Sequence, residues 1–548
     1  MKVSVAFLGG VGDIGMNFYV YETENSAFIV DCGVKFAGGT EPGIDLIIPD
    51  FSYLAHIKHK LQCVLITHGH EDHGGAVPFL LQEYPHLPIV ADRYTMGLVC
   101  RKLKEYAISP EKIYASPTEN IVIGDFTVNF IPISHSVHGT NVLYIEAVDG
   151  FTALHMSDYK IDFAPITSEP FPLSQIAAIG KKGLSCLFAD STSCTSQGFT
   201  QGELYAAKGL EEVFQKADGR IFFTAFSSNA ERLQTVFDLA EKYGRAVITE
   251  GSSITRNIEH ARAMGRLKIN DKNIAKRKSI NILPDHKICV IATGSQGEKE
   301  SVLSKISQND YSTFTLHKND TVIFSSRVIP GNERSVISIM NRVAKAGGTC
   351  VTVDDKNIHV SGHPSAGDAA MLIKLTCPNY LVPIHGEYIH LNKHKEIAVK
   401  DCLMDESQVI ISSSGEKLIF TDGVFTDRKE VPWGKRFVDT KGNFILTKEE
   451  LKLRKRMASE GAVFICAFID LIQGVMTSAP VTASAGFEMD THKVREFSHY
   501  LLNESQNAVF ERFSHEGWQE VLTKFTKRYF KKTTGRRPII TVTVQEMQ

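Results

Sequence analysis

Thr67-His68-Gly69-His70-Glu71-Asp72-His73 follows directly on the apolar run Cys63-Val64-Leu65-Ile66, and the fold turns on how this stretch is read. A short apolar run that ends in a tight polar turn marks the end of a strand. Strand C-termini are where α/β sheets gather ligands from neighbouring loops. Three imidazoles and a carboxylate in one such turn combine borderline nitrogen donors with a hard oxygen. The HxHxDH spacing serves two adjacent metals, a demand that a solvated loop does not make.

A dinuclear site needs more ligands than one loop offers, each at another strand end. His135 in Ile133-Ser134-His135-Ser136, Asp158 in His155-Met156-Ser157-Asp158 and His385 in Val382-Pro383-Ile384-His385 each come shortly after an apolar segment. Any one of them alone reads equally well as a satisfied loop residue. With His68, His70, Asp72 and His73 they complete two ions. Nothing in the sequence pairs His56 and His59, in the helical segment 53–60, with the metals.

At about 150 residues per domain, 548 residues make three or four domains. Hydrophobic residues at 43% and charged residues at 22% are ordinary globular usage, which excludes disordered, collagenous and coiled-coil chains. The 60 basic and 62 acidic side chains nearly cancel, so any polyanion site must be local. Ten scattered cysteines without a CxxC pair suit a reducing compartment. No apolar run approaches the roughly 18 residues of a membrane span, and the N-terminus runs straight into a strand without a signal-peptide pattern. A cytoplasmic protein is expected.

Short apolar runs bounded by Gly, Asp and Asn fill residues 1–201, with helical stretches such as 75–83 between them, and imply an α/β sheet layer. From 202 to 356 the pattern becomes strand-helix alternation, a separate parallel α/β unit. Residues 357–426 return to short His-, Gly- and Ser-rich segments, so the chain re-enters the first domain and the middle unit is an insertion. Residues 427–443 read as a linker. A final domain follows at 444–548, with a strand at 462–469 and a helix at 518–530.

The ordered motifs resemble the metallo-β-lactamase superfamily and, within it, the β-CASP nucleases of the ribonuclease J type. They are Val30-Asp31-Cys32-Gly33, His68 to His73, His135, Asp158, Ala189-Asp190-Ser191-Thr192, His359-Val360-Ser361-Gly362-His363 and His385. Gly9-Gly10-Val11-Gly12-Asp13-Ile14-Gly15, Ala292-Thr293-Gly294-Ser295-Gln296, Ile329-Pro330-Gly331-Asn332-Glu333 and Thr534-Gly535-Arg536-Arg537-Pro538 extend the likeness over essentially the whole chain. The resemblance implies an α/β fold: an αββα metallo-β-lactamase sandwich with an inserted β-CASP α/β domain and a small α+β C-terminal domain. It also implies two zinc ions per subunit, with manganese or magnesium as substitutes. His68, His70 and His135 would hold one ion and Asp72, His73 and His385 the other. Asp158 would bridge them, and Asp31 would orient ligands from behind.

Phosphodiester hydrolysis follows from that resemblance, with Asp72, His363 and Asp190 in catalytic roles. His363 would protonate or stabilise the leaving oxygen, and Asp190 would hold its imidazole. Asp190 reads alternatively as a helix cap. The backbone of His359, Val360, Ser361, Gly362 and His363, with Ser365, offers donors to a phosphate. Ser228, Asn229 and Arg232 are further phosphate contacts by the same resemblance, with a capped helix start as the alternative. A histidine at 385 favours RNA over DNA. Two Lys/Arg-rich tracts, 262–278 and 524–537, fit a polyanion or are solvated helix faces.

The expected activity is therefore 5′-to-3′ exonuclease action on single-stranded, 5′-monophosphorylated RNA, with endonuclease action besides, in RNA processing and decay. A homodimer or homotetramer would form through the C-terminal domain. A DNA-directed nuclease, a small-ester hydrolase and an inactive RNA-binding paralogue are the alternatives. Asp13 stands where relatives carry Glu, Gly74 where an aliphatic residue is usual, and Pro364 where a small residue is usual. Pro364 takes one N–H from the phosphate loop.

Overall fold

The computed structural model describes residues 2–37, 41–115, 120–329, 331–439, 444–506 and 514–547. Pro330 of the Ile329-Pro330-Gly331 match and residues 440–443 at the end of the expected linker lie outside the described residues. The chain forms two compact units, 1–35 with 47–435, and 36–46 with 436–548.

In the first unit two sheets face one another. One has eight strands, running in space Val424–Glu430, Glu416–Thr421, Lys2–Gly9, Phe18–Glu22, Ala27–Val30, Leu61–Ile66, Ile89–Ala91 and Ile113–Ala115. The other has six, in the order Tyr380–Ile384, Cys186–Asp190, Thr152–His155, Asn141–Ala147, Phe126–Pro132 and Ile121–Ile123. Phe7, Tyr19, Tyr21 and Phe28 of the first interlock with Phe126, Leu143, Phe188 and Val382 of the second. Helices Leu173–Lys182 and Ala366–Thr376 cover the outer face of the six-stranded sheet through Ile176, Ile179, Leu372 and Ile373. Strands such as Phe18–Glu22 are buried along their whole length, which is why they read as unbroken apolar runs rather than alternating ones.

Within the same unit a third sheet is wholly parallel, in the order Ala246–Glu250, Ile288–Ala292, Ile221–Thr224, Thr321–Phe324 and Thr349–Val351. Phe223 and Ile291 face one core while their neighbours Phe222 and Val290 face another, as period-two strands buried on both faces require. Helices Ala230–Lys242 and Glu333–Lys345 cover these two faces. The chain then returns to the six-stranded sheet, where Tyr380–Ile384 pairs in parallel with Cys186–Asp190.

Two expectations need correction. Residues 427–443 are not simply a linker: Val424–Glu430 is an edge strand on Glu416–Thr421, and Lys435–Asp439 pairs with Phe444–Leu446. The Asp, Arg, Lys and Glu side chains that made the segment look like a loop are those that protect an exposed sheet edge. Residues 36–46 belong to the C-terminal unit rather than to the first 201 residues. Ile44 packs with Leu446 and Leu451, and Arg454 Nη1 donates to the Gly43 carbonyl at 2.9 Å.

The second unit centres on Ala462–Asp470, flanked by antiparallel Val481–Ala485 and parallel Ile539–Glu546. Val463, Ile465, Ala467 and Ile469 pack on Phe497, Trp518, Leu522 and Phe525 of helices Thr491–Gln506 and His515–Thr533. Lys524, Lys527, Arg528, Lys531 and Lys532 therefore face outward. No helix among the described residues is long and apolar enough to cross a membrane.

Candidate metal centre

Six strand ends from the two facing sheets converge. Asp31 follows Ala27–Val30, His68 follows Leu61–Ile66, His135 follows Phe126–Pro132 and Asp158 follows Thr152–His155, while Asp190 closes Cys186–Asp190 and His385 follows Tyr380–Ile384. Three of these turns pass through the left-handed region at non-glycine residues, with φ of 61° at Asp31, 51° at Ser157 and 50° at His385. Each costs on the order of 1–3 kcal/mol and persists only where the surroundings enforce it.

Asp158, buried, lies between two sets of donors. Its Oδ2 is 3.6 Å from His68 Nε2 and 3.7 Å from His135 Nε2. Its Oδ1 is 3.3 Å from His73 Nε2 and 3.2 Å from His385 Nδ1. His70 Nδ1 joins the first set, 3.1 Å from His68 Nε2 and 3.2 Å from His135 Nε2. Asp72 Oδ2 joins the second, 3.2 Å from His385 Nε2 and 3.8 Å from His73 Nε2. The donors thus fall into His68, His70, His135 and Asp158 on one side and Asp72, His73, His385 and Asp158 on the other.

This donor set fits divalent cations. Two ligands held about 2.1 Å from a tetrahedral ion lie about 3.4 Å apart, the spacing seen here. Asp158 Oδ1 is buried and accepts no hydrogen bond, an orphan that a cation would satisfy. Burial above all, and the charge of His73, hold His68 well below the usual histidine range, and burial brings His70 down to about 4. Both present neutral imidazoles, the form that ligates a metal. Behind the ligands, Asp31 Oδ2 takes His73 Nδ1 at 2.7 Å, and Asp31 Oδ1 accepts the Thr67 N–H at 2.8 Å. That is the carboxylate–histidine support a ligand needs to keep its tautomer and orientation.

His363 stands beside this cluster with its Nδ1 2.7 Å from Asp190 Oδ2. Burial works against its charge, but Asp190 and Asp158 outweigh it and raise its pKa. Asp190 Oδ1 also accepts the Thr192 N–H at 2.8 Å and hydroxyl at 2.7 Å, so the carboxylate caps its own turn and holds the histidine at once.

Family models match four stretches: the metallo-beta-lactamase superfamily at 11–151, the beta-CASP domain of ribonuclease J at 218–343, the RNA specificity domain of Zn-dependent metallo-hydrolases at 355–401 and the ribonuclease J C-terminal domain at 450–547. Ribonuclease J of Thermus thermophilus is 34% identical, with 99% of this chain and 95% of the relative covered. The chain belongs to the ribonuclease J family. The Corynebacterium glutamicum ribonuclease J is 32% identical over 98% of this chain and 75% of its own length. A crystal structure of a protein of unknown function from Enterococcus faecalis V583 superposes with a TM-score of 0.54 at 15% identity, covering 77% of this chain and 100% of that one, and shows the fold alone.

In this ribonuclease J family member the substrate residues read from the sequence separate into three groups. Ser361, Gly362 and His363 lie at the cluster: the Gly362 carbonyl is 2.7 Å from His135 Nδ1, and the Ser361 hydroxyl accepts the His363 N–H at 3.0 Å. Ser228 lies there too, with its hydroxyl 3.2 Å from His70 Nε2. Val360 and His359 are largely buried beneath the loop, and burial pushes His359 down to about 3.

Arg232, Asn229 and Ser365 are corrections. The Arg232 side chain is fully buried, its guanidinium 2.9 Å from Glu203 and donating to Ser325 Oγ and the Ile358 carbonyl, so a substrate cannot reach it. Asn229 caps helix Ala230–Lys242, accepting the Arg232 N–H at 2.9 Å. Ser365 caps Ala366–Thr376, and its N–H donates to Thr200 Oγ1 and Asp368 Oδ2. Pro364 therefore interrupts a loop whose flanking N–H groups are already engaged.

Thr67, Ser157 and Thr192 went unread. Thr67 Oγ1 lies within 3.0 Å of both Asp31 oxygens and 2.8 Å from Ser157 Oγ, and Thr192 Oγ1 is 2.8 Å from His385 Nδ1. Their only signal was a hydroxyl adjoining a ligand.

Proposed function

We propose that the chain is a two-zinc ribonuclease that cuts RNA phosphodiester bonds, from the 5′ end towards the 3′ end of single-stranded, 5′-monophosphorylated RNA, with endonuclease action besides. The reading rests on Asp158, whose two carboxylate oxygens face separate donor sets, one of them completed by His385 from the segment that matches the RNA specificity domain. His68, His70 and His135 would hold one ion and Asp72, His73 and His385 the other, with Asp158 available to both; manganese or magnesium could take the same donors. When bound, the ions supply Lewis acidity towards the phosphoryl oxygens and a water acidic enough to attack near neutral pH.

The chain's own residues do the rest. Ser361, Gly362 and Ser228 hold phosphate oxygens beside the donors. With its Nδ1 engaged by Asp190, His363 uses Nε2 to protonate the leaving oxygen. Asp31 and Thr67 keep the His73 ring in one orientation. Assembly through the C-terminal domain into a homodimer or homotetramer, a cytoplasmic location, and a role in RNA processing and decay complete the reading.

The test is digestion of 3′-end-labelled RNAs bearing 5′-monophosphate, triphosphate or hydroxyl ends, beside a matched DNA. Mononucleotide release from the monophosphorylated RNA by the wild type and none by Asp72→Ala is expected. Equal turnover of RNA and DNA, or an active Asp72→Ala, overturns it.

A further inference from the structure

A second feature borders the metal loop on the far side of His70. A cleft of about 260 Å³ is lined by Gly69, His70 and Glu71 of that loop, by Leu98, Arg101 and Lys102 of helix Arg93–Glu105, by Ser227 and Ser228, and by Ser253, Arg256 and Asn257 of helix Ser252–Ala263. It joins the metallo-β-lactamase sandwich to the inserted sheet's helices; His70 and Ser228 on its inner edge belong to the mechanism above, and its arginines do not.

Its charges are unevenly matched. Lys102 pairs with Glu71 at 2.9 Å, and Arg256 reaches Glu105 only at 3.6 Å across an exposed pair. Arg101 has no carboxylate partner among the described residues; its Nη2 donates to Asn257 Oδ1 at 2.6 Å. Burial and the charge of Arg256 both press against its cationic form, with Glu105 and Glu71 attracting it more weakly. Two guanidinium groups on facing helices thus repel each other across a cleft, a cost that an anion between them removes. The wall is braced: Asn257 Nδ2 donates to Ser227 Oγ at 3.0 Å, and the neighbouring Ser228 touches His70 Nε2. Arg101 is therefore linked to His70 through Asn257, Ser227 and Ser228, and Arg256 adjoins Asn257 on the same helix, so an anion held there has a set place relative to the donor cluster.

We propose that Arg101 and Arg256 form a clamp for a backbone phosphate of the RNA strand, outside the bond being cut. The clamp rests on the ribonuclease reading for its ligand, and it assigns to these arginines the positioning of the strand rather than the chemistry. A planar guanidinium pair suits phosphate oxygens better than ammonium groups do, and the hydroxyls of Ser227 and Ser253 extend the polar wall. The contact carries no sequence information, as backbone contacts do not.

The experiment measures binding of a 3′-fluorescein-labelled, cleavage-resistant phosphorothioate RNA to the metal-loaded full chain across a salt series, for the wild type, Arg101→Gln, Arg256→Gln, the double variant, and Arg101→Lys and Arg256→Lys. Each lost phosphate contact should reduce the slope of log affinity against log salt by about 0.7, with the lysine variants retaining the slope. On cleavable long RNA the loss should appear in KM rather than in kcat. Because both glutamine changes sit at partly exposed positions, their thermal midpoints report whether the fold is kept, and the lysine variants provide a second route if Arg101→Gln unfolds. Slopes equal to wild type in both glutamine variants overturn the clamp. Reduced slopes in a wild-type background that cuts no RNA would uphold the clamp and overturn the ribonuclease reading instead.

Discussion

His363 Nδ1 and Asp190 Oδ2 meet at 2.7 Å although they lie 173 residues apart, on opposite sides of the inserted sheet in the chain. Strand Cys186–Asp190 ends at the carboxylate and the loop before helix Ala366–Thr376 brings back the imidazole, so the chain before and after the insertion meets at the His/Asp cluster. On the proposed reading the pair is an acid with its orienting partner. Asp190→Asn keeps the shape and the Thr192 cap contacts but removes the charge. A loss of roughly 10²–10³ in kcat, with metal content unchanged by elemental analysis, is expected. An unaltered kcat would reduce Asp190 to the cap of its own turn.

Asp158 distinguishes one ion from two. Because its oxygens face different donor sets, Asp158→Asn weakens both, whereas Asp72→Asn weakens only the set of His73 and His385. Elemental analysis after dialysis should find less metal in Asp158→Asn than in Asp72→Asn. Chelation of the wild type should lower its thermal midpoint, since buried Asp31, Asp158 and Asp190 then lose their counter-charge and the folded state loses its ligand. Readdition of zinc should restore it, and a midpoint indifferent to chelator would count against a bound metal.

How much of this could be read beforehand differs by residue type. The clustering of His68, His70, Asp72, His73, His135, Asp158 and His385 was legible because His and Asp at strand ends announce chemistry through their identity. Arg232 was misread for the opposite reason. A basic residue in the first helical turn after a Ser-Ser-Asn start looks available, and only the tertiary structure shows it buried against Glu203, which also holds Lys160. The strand at 424–430 was hidden by charges that serve an edge. Residues 36–46 carry no signal of their own, because what places them is Ile44 packing on Leu446 and Leu451, far along the chain. Left-handed φ at Asp31 and His385 is invisible in a one-letter code.

The Arg232 correction has a measurable consequence. Burial raises the Glu203 carboxyl, but Arg232 and Lys160 more than compensate and hold it at about 2, against an ordinary value of 4.5. A depressed folded value means the pair stabilises the fold above about pH 4.5, and that its contribution disappears as pH falls towards 2. Arg232→Met leaves Glu203 with Lys160 alone, at 3.1 Å. Up to about 3–5 kcal/mol of stability should be lost in urea unfolding at neutral pH. The deficit should shrink in acid, and the salt dependence of RNA binding should stay as in wild type. A changed salt slope with full stability would return Arg232 to the substrate.

Two glycines of the metal loop's surroundings make opposite predictions. A Cβ on Gly33 would lie 1.6 Å from the Asp72 carbonyl oxygen and 2.8 Å from the His73 nitrogen, so alanine there must push the backbone of two proposed ligands aside. A shift of about 1 Å at reacting groups costs on the order of 10²-fold in rate. Gly33→Ala should therefore lose metal and at least that much activity while still folding. Gly74 closes the short helix Glu71–Gly74, and a Cβ there meets only Ile66 and Val99 at 3.6 and 3.7 Å, ordinary contact distances. Gly74→Ala should retain metal and activity and gain a few tenths to about 1 kcal/mol, the usual advantage of alanine over glycine in a helix. Differential scanning calorimetry and metal analysis on the two variants decide the matter. If Gly33→Ala kept its full metal content, the close packing of Gly33 on Asp72 could not be what fixes the second donor set.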